Sequence, residues 1–553
     1  MEARATAIQG GELPARAGFL AVEPEGLVVS AIRRADDGNE AEAVAMAKKL
    51  ESLLEKISPL RVSGASDVDV TGLSSDSRRL RPGNVFVALP GRRTDGNAFV
   101  DQAMRKGAAA IVSERANSPA ESAVPYIVVE NARRALSRLA AAMYDSPAQR
   151  LHVIGVTGTD GKTTTAHLIS AVLEAAGIPA GRVTTVDVAI GSLVRRNETN
   201  HTTPQAPFIH SALAEMVRAG AEYAVLEASS HALALDRVAD CAFDVAVMTN
   251  LTPEHLDFHG TFERYREAKA RLFRMLAEPT AKPWPRFGVV NADDPAAEYF
   301  RHATPVPMFS YGVNSPADLR AEAIETSPEG SSFVIVGPAG RVEVDTRLPG
   351  RFNVYNWLAA ASVAFGLGLA PEAVARAATA GPVVPGRMIR VQEGQPFGVV
   401  VDFAHTPNAL DLVLRTLRPQ TKGRLIAVFG HAGGRDFNNR PEMGRTAARL
   451  ADFFVITSDD PYDEDPAAII DQIGRGAQRE GLRLGVDYLK VVDRREAIAS
   501  ALREARPGDT VLIAGRGHER VQTVGRRKLV FDDVEVTREL LAQAQGARGR
   551  SAA

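Results

Sequence analysis

The chain alternates between two hydrophobic patterns. Short apolar runs such as LHVIGV (151–156), YAVLEAS (223–229) and VAVMTNL (245–251) predict buried strands, separated by glycine-rich turns and stretches with helical spacing. Strands and helices in alternation predict a parallel sheet covered on both faces. Upstream, NVFVAL, AAAIV and YIVV predict shorter strands between about residues 61 and 130, with one helix-like stretch, AFVDQAMRKGA. In MAKKLESLLEKI, Leu50, Leu53, Leu54 and Ile57 recur at helical intervals and predict a short amphipathic helix. The first 45 residues show no sustained period; they are expected to be a loose extension, with Met46 an alternative start. AGPVVPGR (380–387) predicts a linker, after which FGVVVDFA, RLIAVFG, FFVITSDD and TVLIAGRG resume the alternation. The expectation is an α/β protein of three globular parts, 46–150, 151–384 and 385–545.

Composition narrows the field. A chain of 553 residues has room for roughly three to four cores at about 150 residues each. A net charge of −2 gives no electrostatic case for a nucleic-acid or anionic-membrane partner. No apolar run reaches membrane-spanning length, and Glu23, Pro24 and Glu25 interrupt the N-terminal GFLAVEPEGLVVSAI, which spoils it as a signal peptide. A single cysteine, Cys241, excludes an internal disulfide framework and a cysteine-based zinc cluster. It fits a reducing compartment, so a soluble cytoplasmic protein is expected.

Three stretches carry candidate chemistry. In VIGVTGTDGKTTT, a strand leads through Gly155, Gly158 and Gly161 to Lys162 and Thr163 at a helix start. Such a loop can wrap backbone N–H groups around phosphate, Lys162 can reach the β/γ-phosphates, and the Thr163 hydroxyl can ligate Mg²⁺. The strict phosphate-loop spacing fails because position 156 is Val, and a tight turn without nucleotide is the plainer alternative. Two strand ends then offer Glu227, Ser229 and His231, and His255, Asp257 and His259. The H-x-D-x-H spacing suggests a metallohydrolase, against the commoner case of structural histidines. Lys269 by itself reads as a surface lysine. Finally, TSDDPYDEDP (457–466) sets five carboxylates within seven positions: a solvated loop, a metal cradle or a reader of something cationic.

Taken together these pieces resemble the Mur ligase family, from about residue 60 to about 542, and within it the branch that completes a tripeptide. Twelve motifs occur in the family's order: SSDSRRLRPGNVFVALPG, GVTGTDGKTTT, HTTP, EASSH, TNLTPEHLDFHG, REAK, NADD, GRFNVYN, VDFAHTPNAL, GRDFNNRPEMG, DDP and GRGHE. The resemblance implies a UDP-binding N-terminal domain, a central P-loop ATPase-like domain and a Rossmann-like C-terminal domain. It implies ATP and Mg²⁺, and a substrate pair of UDP-N-acetylmuramoyl-L-alanyl-D-glutamate and a free amino acid, used by a monomer in peptidoglycan precursor synthesis. The D-glutamate side-chain carboxylate would attack the γ-phosphate, and the amine would displace phosphate from the acyl phosphate.

Residue by residue, the resemblance implies ATP contacts at Gly155, Gly158, Thr159, Asp160, Gly161, Lys162, Thr163, Thr164, Asn353, Asn356 and Arg387. A polar N-cap is the alternative for the two asparagines, and Ile389 replaces an acid that usually follows the Met after Arg387. The resemblance also implies metal ligation by Thr163, Glu227, His255 and a carbamylated Lys269, with Lys162, Lys269 and His255 catalytic. UDP-substrate contacts would come from Ser75, Ser77, Arg92, Arg93, Thr94, Thr202, Thr203, Ser229 and Arg237, while Leu235 replaces a polar contact residue. A nucleotide-binding regulator without catalysis is the rival reading; it predicts damage among Lys162, Glu227, His255 and Lys269, all of which are present.

The acid-rich loop matches the amino-acid-selecting motif, D-N-P-R in enzymes that add meso-diaminopimelate. Here it reads Asp459-Asp460-Pro461-Tyr462, while Arg435, Gly515 and Glu519 match other amino-acid contacts. The 433–436 segment GGRD lacks one acid of the usual pattern, and Arg516 stands where Lys is frequent. A carboxylate about 4 Å from Asp460 would cost up to roughly 4 kcal/mol at an effective dielectric near 20. The expectation is therefore L-lysine or L-ornithine over meso-diaminopimelate, with meso-diaminopimelate the alternative. Asp463, Glu464 and Asp465 are expected to be solvated.

Overall fold

The computed structural model describes residues 47–91, 94–116, 124–199 and 201–551. The expected extension at 1–45 lies outside them, as do Arg92 and Arg93. The N-terminal part begins with helix α1 (Leu50–Leu54), shorter than its sequence pattern, because Lys48 and Lys49 pair antiparallel with Val70 and Asp69. Leu50, Leu53, Leu54 and Ile57 are all buried, as their spacing requires. Strands β1 (Arg61–Ser63), β2 (Gly72–Ser74), β3 (Asn84–Val87), β4 (Ala110–Ser113) and β5 (Tyr126–Val128) form one sheet, in the order β1-β5-β4-β3-β2. Helices α2 (Val100–Arg105) and α3 (Ala132–Met143) accompany it, and the Asn131 side chain caps α3 by accepting from the Arg134 N–H at 2.9 Å.

The central sheet has 11 strands. They are β6 (His152–Thr157), β7 (Ala180–Val183), β8 (Asp187–Ile190), β9 (Leu193–Arg196), β10 (Tyr223–Glu227), β11 (Val245–Met248), β12 (Phe287–Asn291), β13 (Met308–Gly312), β14 (Leu319–Thr326), β15 (Ser331–Gly337) and β16 (Gly340–Thr346). Their order is β9-β8-β7-β10-β6-β11-β12-β13-β14-β15-β16, parallel from β7 through β14 and antiparallel at both edges. β6 lies in the middle, so its C-terminal end opens where a ligand crevice is expected in a parallel sheet.

Side chains of β6 alternate between two cores. Ile154 and Val156 join Leu168, Ile169, Val172 and Leu173 of helix α4 (Lys162–Ala175), while Val153 joins the opposite core. Each such large aliphatic side chain contributes about 2 kcal/mol by burial. Gly155 lies within the strand, where a Cβ would come within 2.7 Å of Leu272 and 2.8 Å of Phe243. The absence of a side chain at Gly155 thus has a packing reason of its own. Helix α5 (Phe262–Met275), capped by Thr261, carries Lys269 inward, and α6 (Arg351–Gly366) packs on α4.

The C-terminal part is a six-stranded sheet of β17 (Ile389–Arg390), β18 (Gly398–Asp402), β19 (Leu425–Phe429), β20 (Phe453–Thr457), β21 (Tyr488–Val491) and β22 (Thr510–Ala514), in the order β17-β18-β22-β19-β20-β21. All pairs but β17–β18 are parallel. Helices α7 (Pro407–Leu417), α8 (Asn439–Leu450), α9 (Pro466–Arg479) and α10 (Arg494–Glu504) accompany it. A separate hairpin, β23 (Val521–Val524) with β24 (Arg527–Val530), follows. No helix among the described residues is long and apolar enough to cross a membrane.

Candidate active site

The turn between β6 and α4 needs glycine for steric reasons. Gly158 adopts φ +145° and a Cβ there would lie 1.8 Å from Thr249 Oγ1; Gly161 adopts φ +82° and a Cβ would lie 2.5 Å from Asn356 Oδ1. Thr159 is held by Tyr265, whose hydroxyl lies 2.9 Å from Oγ1. Asp160 N–H donates to Asn250 Oδ1 at 2.9 Å. Lys162 Nζ folds back to donate to the carbonyls of Gly158 at 3.0 Å and Thr159 at 2.7 Å. Lys269 Nζ, 2% exposed, donates to the same Gly158 carbonyl at 2.5 Å. Burial, with the Lys162 charge beside it, pushes the Lys269 amine well below its ordinary value. The surface-lysine alternative is thereby excluded.

Above this loop lies a cleft of about 740 Å³ between the central and C-terminal domains. Thr159, Asp160, Gly161, Lys162, Thr163, Thr164, Glu227, His255, Lys269, Asn353, Asn356 and Arg387 all line it, as do Thr202, Ser229 and Arg435. The Glu227 carboxylate, at the end of β10, is fixed through both oxygens by Thr185, from N–H and from Oγ1, each at 2.9 Å. Asn353 donates to the Pro349 carbonyl at 2.8 Å and Asn356 donates to Asn353 Oδ1 at 3.0 Å. The pair therefore rigidifies the start of α6 while facing the cleft.

The expected UDP-substrate contacts divide. Thr203 Oγ1 donates to the Glu227 carbonyl at 2.7 Å and accepts from Ser229 N–H at 3.0 Å, while Arg237 donates to the Thr203 carbonyl at 2.9 Å. Ser229 Oγ also caps a short helix, accepting from Ala232 N–H at 3.2 Å. These residues gather at the end of β10. Ser75, Ser77 and Thr94 lie on the N-terminal part instead, and the Ser77 hydroxyl donates to Gln102 at 2.8 Å.

The domains are pinned by contacts that individual motifs do not reveal. Arg387 donates to Thr163 Oγ1 at 3.2 Å and lies 4.4 Å from the Phe403 ring centroid. Asn408 donates to Asp160 Oδ2 at 2.9 Å, and His255 N–H donates to Asp436 at 3.0 Å. His405 lies 3.6 Å from Glu254, which lies 3.5 Å from His255. Burial would raise the Glu254 carboxyl, but His255 and His405 outweigh it and hold Glu254 well below the usual range. Burial raises Asp160, and Glu254 adds to that rise. Glu254, His405, Asn408 and Asp436 had no assigned role in the sequence reading, although TPEHLD, FAHTPN and GGRD contain them. The signal was a buried acid and a histidine from different domains, which only pairing in space makes visible. His255 and Asp257 stand with Asp436 in a group able to hold a metal ion, whereas His259 is a buried ring set edge-to-face against Tyr265.

A smaller cavity of about 60 Å³ adjoins the cleft and shares Glu254, His255, Phe403, His405 and Arg435 with it. Asp459, Asp460, Tyr462, Gly515 and Glu519 line it, so the structure brings together all six expected amino-acid-side residues. Two expectations are corrected here. Asp460 is no bare charge: its Oδ1 accepts from the fully buried Arg516 at 2.7 Å and from Thr523 N–H at 2.8 Å. The like-charge argument against a distal carboxylate therefore loses its source. Of the acids beyond Tyr462, Asp463 and Asp465 are exposed as expected, and Glu464 is the exception. Glu464 receives both Arg440 nitrogens, at 2.9 and 3.0 Å, and bonds Gly434 N–H. Asp465 caps α9 by accepting from Ala467 N–H at 3.0 Å. The backbone of Tyr462, at φ +50°, is clamped to the β23–β24 hairpin by bonds with Thr523 and Gly525.

A phosphate loop facing a second α/β domain across such a cleft is the arrangement of an ATP-dependent ligase: one domain holds the nucleotide and the other presents the amine. The family models agree, with a Mur ligase catalytic domain at 69–144, a Mur ligase middle domain at 156–364 and a Mur ligase glutamate ligase domain at 386–517. This chain belongs to the Mur ligase family. It is 46% identical over 483 residues to a UDP-N-acetylmuramyl-tripeptide synthetase of Roseiflexus sp. (strain RS-1), covering 86% of this chain and 95% of the relative. It is 42% identical over 491 residues to a UDP-N-acetylmuramoyl-L-alanyl-D-glutamate–2,6-diaminopimelate ligase of Geobacillus thermodenitrificans (strain NG80-2), covering 89% and 98%. A solved structure of a ligase of that second name superposes with a TM-score of 0.61 at 32% identity, covering 90% of this chain and all of that one.

Proposed function

We propose that the protein joins a free amino acid to UDP-N-acetylmuramoyl-L-alanyl-D-glutamate with ATP, forming the tripeptide precursor of peptidoglycan in the cytoplasm as a monomer. The observation that carries this reading is the convergence of Lys162, Lys269, Glu227 and Arg435 on one cleft between the central and C-terminal domains. Boundaries near 150 and 384 follow from the same division of labour. The D-glutamate carboxylate attacks the γ-phosphate and releases ADP; the neutral amine then forms the C–N bond, releases phosphate and gives up a proton. Lys162 and Arg387 would turn from their present acceptors to the phosphates, and closure of the cleft would exclude water from the acyl phosphate.

Thr163, Glu227, His255 and a carbamylated Lys269 fit Mg²⁺: Glu227 is a buried carboxylate with both oxygens fixed, and burial favours the uncharged form of the Lys269 amine, the form that takes up carbon dioxide to become an anionic oxygen donor. The ion would supply charge neutralisation between two anions.

For the amino acid, we favour L-lysine or L-ornithine. Tyr462 stands where a distal carboxylate would need a cation, and Asp459, Asp460 and Glu519 are three acids that share the single buried cation Arg516, at 3.5, 2.7 and 3.6 Å. Meso-diaminopimelate is the second reading, favoured by the names of relatives 40–44% identical to this chain over most of its length. Phosphate release from ATP with UDP-muramoyl-dipeptide and each amino acid decides between them. Higher kcat/KM for meso-diaminopimelate refutes the lysine-type reading, and no release with any amino acid refutes the function.

A further inference from the structure

His431 follows β19 and belongs to none of the roles assigned above, yet it lines the smaller cavity together with Asp459, Glu519 and Arg435. Its ring is buried, with 6% of the residue exposed, and Nδ1 lies 2.8 Å from the Ala432 carbonyl oxygen. A carbonyl oxygen only accepts, so Nδ1 carries the hydrogen and a neutral ring presents its lone pair at Nε2. Burial pushes the imidazole down to about 4, the Ala432 carbonyl and Asp459 opposing it and Arg440 and His405 adding to it. The ring is therefore neutral near pH 7. Among the described residues, no hydrogen-bond or ion-pair partner reaches Nε2.

A neutral imidazole lone pair beside two carboxylates repels a carboxylate and suits a donor. Asp459 and Glu519 share Arg516 with Asp460, at 3.5 and 3.6 Å, so three acids face one buried cation, and an ammonium with three hydrogens suits them together with the ring nitrogen. We propose that His431 is a specificity-determining residue whose Nε2 accepts a hydrogen bond from the ammonium at the end of the incoming amino acid's side chain. The inference rests on reading this cavity as the amino-acid site and adds a residue that no matched motif assigns.

The test uses the full-length protein and its variants His431→Ala and His431→Gln, in phosphate release with ATP, UDP-muramoyl-dipeptide and the preferred diamino acid. L-norleucine, which has lysine's chain without its ammonium, serves as substrate or competitive inhibitor. Loss of one hydrogen bond to a charged group is expected to raise the diamino-acid KM roughly tenfold in His431→Ala. The KM values for ATP and UDP-substrate should stay within about twofold, and the preference for the diamino acid over norleucine should narrow. His431→Gln keeps an acceptor oxygen and should recover part of the affinity; it also stands in if the alanine variant fails to fold. An unchanged diamino-acid KM, an equal loss for norleucine, or a rise in all three KM values overturns the inference alone. A native protein indifferent to every diamino acid overturns the functional reading and this inference with it.

Discussion

Asp460 and Arg516 form a buried ion pair, Oδ1 to Nη1 2.7 Å, across 56 positions of chain. Burial opposes charge on Arg516, yet Asp459, Glu519 and Asp460 hold the guanidinium firmly protonated. Arg516→Met removes the cation from between three acids, and breaking a buried pair in this way costs about 3 kcal/mol or more. A lowered urea midpoint checks this. Asp460→Asn in the same chain should return part of the loss, and strictly additive effects of the two substitutions would show that the pair is not coupled.

Tyr462 already holds a left-handed backbone at φ +50°, so replacing it by another non-glycine side chain adds no backbone strain. Tyr462→Arg should raise the kcat/KM ratio of meso-diaminopimelate to L-lysine by about tenfold, the worth of one charge-assisted contact. Competition assays with both amino acids measure the ratio; an unmoved ratio places selection elsewhere.

Burial, with Asp459 beside it, pushes the Glu519 carboxyl up to about 7. Below that pH Glu519 is neutral and holds an ammonium poorly; above it, the carboxylate is charged. The amino-acid KM is therefore expected to fall as pH rises from 6 to 8, by roughly tenfold at most per pH unit. The same profile for Glu519→Gln should be flat through this window.

Lys162 and Lys269 both donate to the Gly158 carbonyl, at 3.0 and 2.5 Å, and burial with the Lys162 charge pushes the Lys269 amine well below its ordinary value beside the phosphate loop. Lys269→Ala is expected to lower kcat by about 100-fold, on the scale of losing one support of a metal site. A short carboxylate added to the assay should restore part of it. Activity equal to that of the unsubstituted protein would remove Lys269 from the site.

Gly158→Ala would set a Cβ 1.8 Å from Thr249 Oγ1. The loop must shift, and a raised KM for ATP with a lowered thermal midpoint is the expected pair of effects. An unchanged KM for ATP would show that the turn tolerates the shift.

The alternating pattern alone fixed the α/β class, the strand that leads into the phosphate loop and the amphipathic face of α1, because burial periodicity is a local property. Motif spacing likewise pointed to Lys162, Thr163, Glu227 and His255, and the family resemblance added Lys269. Tertiary structure decided which of those groups meet and in what state of charge. Lys269 by itself reads as a surface lysine but is buried against the Gly158 carbonyl. Gly155 reads as a phosphate contact but makes room for Phe243 and Leu272. Asp460 reads as a charge that would repel a carboxylate until Arg516, from a distant strand end, pairs with it. The reason is the same in each case: charge and packing space depend on neighbours in three dimensions, which a single chain of letters does not specify.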